Sequence, residues 1–124
     1  MNVKIDTKER FTVITPKEVH LSVNMTEELN DMLLGYLQKD IPHVILKMEA
    51  VESVDDLMAE NIATIQQQFY EKNCSFVICN LQKNVEQLLN KNELLEIMNI
   101  TPSETEAWDM VQMEEIEREL LGDE

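Results

Sequence analysis

Two short apolar runs restrict the folds open to this chain more than any other feature. Residues 43–48 read "HVILKM" and residues 74–80 read "CSFVICN". Each is nearly continuous in β-branched and aliphatic residues where a half-exposed strand would alternate apolar with polar. Such runs suit strands covered on both faces, as in the interior of a parallel sheet. Between them Met58, Ile62, Ile65 and Phe69 recur at helical spacing and form one apolar stripe ending near "EKN".

The flanking segments extend this pattern. Val3–Ile5 and Phe11–Thr15 alternate and read as strands joined by a turn over Thr7–Arg10. Pro16 to Val23 reads as a loop or a further short strand. Asn24 to Leu37 reads as a helix opened by a capping box between Asn24 and Glu27, with Met25, Leu29, Met32, Leu33, Tyr36 and Leu37 on one stripe and Pro42 beyond its end. A short helix with Val85, Leu88 and Leu89 inward covers Asn84–Leu89, and a last strand Glu96–Ile100. Ser103 and Glu106 form a capping box for a final helix over residues 103–121. The order ββαβαβαβα predicts an α/β fold: a mixed four- to five-stranded sheet, about four helices, and one domain over residues 1–124.

Charge excludes several partner classes. The formal net charge is −15, so nucleic acid and anionic membranes would be repelled. Nine acids stand against the single base Arg118 from Ser103 onward, a solvated helix face or, on a sharper reading, a partner-docking tail. The polar start "MNVKIDTKERF" has no signal-peptide core, and no run approaches the ~20 apolar residues of a membrane span. The chain is therefore expected in the cytoplasm. Cys74 and Cys79, five apart on one strand, point to opposite faces and are expected as buried thiols that cannot bridge each other.

Catalytic chemistry finds little support. With glycine only at positions 35 and 122, no glycine-rich phosphate loop can form. His20 and His43 lack the spacing of a helical metal site, and no metal or cofactor is expected. Asp55 and Asp56 fall at a strand–loop–helix junction, where an aspartate serves as N-cap; adjacent residues there project in different directions and make a poor acid–base pair. "SVDDLMAENI" looks like the acidic pair of a receiver domain, but the next aspartate, Asp109, already lies in the last helix, and no phosphoaccepting strand aspartate exists.

From about Lys4 to Val111 the pattern resembles the STAS family of anti-sigma factor antagonists. "VILKMEAVESVDDLMAEN" has the length and hydrophobic beat of the family's strand, turn and helix start, with Asp55 on the family's aspartate. "FVICNLQKNVEQLLNKNELLEIMNITPSETEAWDMV" resembles its second half. The resemblance implies a non-enzymatic interaction module that binds a kinase-type anti-sigma factor, which phosphorylates the serine after that aspartate. Here Asp56 replaces the serine, Met58 the glycine two residues on, and Lys47 the aspartate late in the preceding strand; the glycine and acidic residue usual before the first helix are missing from "TPKEVHLSVN". Asp55, Asp56, Leu57, Met58 and Lys47 become the expected partner-binding residues, with Met58 at least partly exposed and Lys47 able to pair with either aspartate. Ser53, the nearest hydroxyl, is expected to be packed or locally bonded. The alternative implied by the resemblance is a diverged scaffold or assembly subunit, without phospho-regulation, that pairs with other STAS-type chains or with itself as a homodimer.

Overall fold

The computed structural model describes residues 1–122; the terminal acids Asp123 and Glu124 lie outside them. Five strands, β1 (Val3–Thr7), β2 (Thr12–Pro16), β4 (Val44–Lys47), β6 (Phe76–Cys79) and β7 (Ile100–Thr101), form one sheet in the order β1-β2-β4-β6-β7. β1 and β2 are an antiparallel hairpin, and every other neighbour is parallel. The two apolar runs are thus the middle strands β4 and β6, in register with Val44 beside Phe76 and Leu46 beside Ile78. β3 (His20–Leu21) and β5 (Ser53–Val54) make a separate parallel pair.

Alternation along the middle strands divides the core into two layers. Ile14, Val44, Leu46, Phe76 and Ile78 face the helices α1 (Thr26–Gly35), α2 (Asp56–Glu71) and α3 (Lys83–Lys91). Val13, Ile45, Val77 and Cys79 face α4 (Glu104–Leu121), which contributes Ala107 and Val111. Cys74 and Cys79 are buried, unbridged and in different layers; burial pushes the Cys79 thiol up to about 12, which makes it a small inert hydrophobe at neutral pH.

Polar side chains fasten the helices to the sheet. Asn30 of α1 and Asn61 of α2 exchange reciprocal amide bonds of 3.1 and 2.7 Å. Buried Gln66 donates to the carbonyls of Phe76 and Asn99 and accepts from the Asn99 N–H, so one side chain ties α2 to β6 and to the segment entering β7. Under α4, Glu114 accepts from the Tyr70 hydroxyl at 2.8 Å and from Ser75 Oγ at 2.6 Å, while Arg118 donates to that same Oγ at 2.8 Å. His43 Nδ1 accepts the Ser75 N–H at 3.0 Å. Burial holds the imidazole below its usual pKa, which keeps the ring neutral and able to accept.

Several expected details differ. The Asn24–Glu27 capping box does not form, because Val23–Met25 is a tight 3₁₀ turn and α1 starts only at Thr26 without a side-chain cap. The Ser103 cap does form, with Oγ accepting the Glu106 N–H at 3.3 Å. The last strand is Ile100–Thr101 in place of Glu96–Ile100, since residues before it turn back on the Leu94 carbonyl through the N–H groups of Ile97 and Met98. Left-handed turns that would favour glycine are made by Asn73 and Asn80, with φ of 59° and 58°; asparagine tolerates that region best after glycine. Met58 is not at the surface: it is 0% exposed, packed in the first core layer with Ile62, Ile65 and Phe69. Four-residue spacing from Met58 to Ile62 sets it on the stripe that faces the sheet. Met58→Ala is predicted to lower stability by about 2–5 kcal/mol, read from the urea midpoint; a loss under ~1 kcal/mol would show that the side chain is not packed in the core.

Candidate functional site

The site forms where β4 hands the chain to α2. After Lys47 the backbone turns, with the Val51 N–H donating to the Met48 carbonyl at 3.0 Å, and runs through the two-residue strand β5. Asp55 follows with extended backbone, φ −66° and ψ 147°, which sets it at the N-cap of α2. Its N–H donates to the Leu21 carbonyl and its carbonyl accepts from Ala59. The main chain at Asp55 therefore joins β3 and opens the helix in one residue.

The carboxylate of Asp55 does something other than cap. It accepts no bond from the first turn of its own helix. Oδ2 instead takes the Val23 N–H at 2.7 Å, and Oδ1 lies 3.0 Å from His20 Nε2. The other ring nitrogen, Nδ1, is 2.6 Å from Ser53 Oγ. A carboxylate only accepts, so Nε2 carries the proton, and in the neutral ring Nδ1 accepts the Ser53 hydroxyl. Ser53, expected to be packed or locally bonded, is exposed and bonded to His20 across the β3–β5 pair.

Serine, histidine and aspartate here have the composition of a hydrolytic triad but not its wiring. In that template the serine pairs with Nε2 and the aspartate with Nδ1; here the nitrogens are exchanged. The His20 and Asp55 side chains are 46% and 38% exposed, so no dry pocket strengthens the relay. The cluster works as a tie between β3, β5 and the start of α2. His20 lies 33 and 35 residues from Ser53 and Asp55 in the chain, and nothing in the sequence around it announces the contact.

Asp56 is the first helical residue, beside the N-cap, and it is exposed. Its Oδ1 accepts from Asn92 Nδ2, at the end of α3, at 3.1 Å. Leu57 next to it is 64% exposed, and Val19 and Val23 are exposed apolar residues on the segment that Asp55 and Ser53 bind. An outward carboxylate thus stands near the positive end of α2 with an outward leucine beside it. Met58 and Lys47 do not join them. Met58 lies beneath, in the core. Lys47 pairs with Glu104 at 3.0 Å and Glu49 at 3.2 Å, not with Asp55 or Asp56 as expected; the bond to Glu104 holds its ammonium above the ordinary range. Among the described residues, no three His, Cys, Asp or Glu side chains gather to hold a metal ion, and no helix is long and apolar enough to cross a membrane.

The STAS domain family model matches residues 2–107. Among solved structures, a putative anti-sigma factor antagonist from Thermotoga maritima superimposes with a TM-score of 0.80 at 19% identity, covering 89% of this chain and 94% of its own. A variant of RsbS from Moorella thermoacetica, with serine changed to glutamate, gives 0.74 at 17% identity over 90% and 96%. The anti-sigma factor antagonist SpoIIAA in its unphosphorylated form gives 0.71 at 16% over 90% and 96%. No curated protein sequence matches the chain.

The tie makes a local prediction. Asp55→Ala removes two acceptors and is predicted to cost about 1–2 kcal/mol and to speed amide exchange at Val23, while Asp55→Asn, which keeps one acceptor, costs less. Unchanged exchange at Val23 in the alanine variant would show that the carboxylate does not hold this corner.

Proposed function

The chain belongs to the STAS domain family, and from that premise we propose that it is a non-enzymatic interaction module that binds a kinase-type anti-sigma factor, or another STAS-type chain, through the corner where α2 begins. Asp55, Asp56 and Leu57 are the binding residues. Met58 supports them from the core. The module works in the cytoplasm, with Cys74 and Cys79 as buried thiols.

One observation carries this reading. The place where the family's phosphorylated serine is expected holds an exposed carboxylate, Asp56, on the first turn of α2. It has no hydroxyl to accept a phosphoryl group. It carries one negative charge, against about −1.5 to −2 for a phosphoserine, and it sits where the helix dipole favours an anion. On this reading Asp56 imitates the phosphorylated state in part and cannot be reset.

Asp56→Ser tests the proposal. Asp56 is exposed and its loss removes one helix-dipole contact and one bond to Asn92, so stability is expected to change by less than ~1 kcal/mol. Removing a like-charge or desolvation penalty worth ~1–3 kcal/mol should tighten binding to a kinase-type anti-sigma factor about 5- to 150-fold, measured by calorimetric titration. With kinase and ATP, mass spectrometry should find a phosphate on the serine variant and none on the parent. Equal affinity of both proteins, or stoichiometric phosphate on Ser53 of the parent, would contradict the proposal.

A further inference from the structure

The last helix is apolar on two opposite sides. Ala107 and Val111 face the sheet and are 0% exposed. Two residues on from Val111 is about 200° around a helix, and there Met113 starts a second stripe. Met113, Ile116 and Leu120 are 61%, 55% and 77% exposed. Their spacing of three and four residues sets them on one face, about 10 Å from end to end. Burial in this chain does not account for such a stripe: a large side chain left in water gives up ~1.5–3 kcal/mol of transfer free energy. The stripe also lies past residue 107, where the match to the family model ends.

Charge selects the occupant. Asp109, Glu117 and Glu119 are exposed beside the stripe, with no ion-pair partner among the described residues. The helix's own base, Arg118, is turned inward onto Ser75. Arg10 borders one edge but is engaged by Glu115 at 3.5 Å. A second copy of this chain would bring the same acids to the same face, on a molecule whose net charge is already −15. An anionic membrane is repelled likewise. A helix with an apolar stripe edged by lysine or arginine matches both features: it buries the stripe and neutralises its borders.

We propose that the outward face of α4 docks a basic amphipathic helix of another protein. This is a second surface, independent of the corner at α2. The test uses the whole chain and a fluorescent peptide of leucine and lysine alone, with leucine at helical spacing, followed by anisotropy. The parent should bind in a salt-dependent manner. A Met113→Ser, Ile116→Ser, Leu120→Ser triple variant and a Glu117→Gln, Glu119→Gln double variant should each bind at least about tenfold more weakly, with circular dichroism unchanged because all five side chains are exposed. Absence of binding to the parent, or unchanged binding by either variant, would overturn the proposal; the serine variant binding like the parent would reduce the effect to diffuse charge. Self-association of the parent that disappears in the serine variant, seen by sedimentation, would make a second copy the occupant and also overturn it.

Discussion

The need to cover β4 and β6 on both faces governs this molecule. Val44, Leu46, Phe76 and Ile78 look one way, and Ile45, Val77 and Cys79 the other. Left open, either face would hold several large side chains in water, at about 25 cal/mol for each Å². Three helices close one side and α4 closes the other. Parallel pairing of β4 with β6 demands a crossover, and α2 supplies it. The connection from β4 into α2 is therefore forced to lie at the carboxyl ends of the strands, where open α/β sheets commonly present their binding loops. The corner proposed to bind the partner is placed by the same constraint that builds the core.

Within that corner a fixed base and a free edge are divided between neighbouring residues. Asp55 is the fixed base: its carboxylate joins Val23 and His20, and through His20 it reaches Ser53. Met58 is spent on packing. Asp56 and Leu57 between them point outward. A surface carboxylate on a mobile loop would be a weak signal, because it would lose conformational entropy on binding. Asp56 is held on the first turn of a helix whose stripe is anchored in the core, with Asn92 steadying one oxygen.

The sheet could be read from the chain because its signal is local. "HVILKM" and "CSFVICN" are strands by composition alone, and the stripe from Met58 to Phe69 is a helix by spacing alone. The resemblance that runs from about Lys4 to Val111 points to the start of α2 as the candidate corner. What escaped was non-local or very short. β5 has two residues and no pattern to read. The contact between His20 and Asp55 joins residues 35 apart, and Gln66 reaches Asn99 across 33; spacing says nothing about either. Met58 is a different case. Its place beside Asp56, and the adaptability of methionine, suggest an exposed residue, yet it is in helical register with Ile62, Ile65 and Phe69, and that register sets it in the core. Lys47 is expected to pair with Asp55 or Asp56, whereas its partners are Glu49, two residues on, and Glu104, which the fold brings beside it.

The central claim is that the molecule recognises its partner with the start of α2. Amide hydrogen exchange, with and without a kinase-type anti-sigma factor, tests it most directly. Binding through this corner should slow exchange over residues 20–23 and 53–58 and around Asn92, and leave β1 unchanged. Protection confined to other surfaces, with residues 53–58 exchanging as in the free protein, would contradict it.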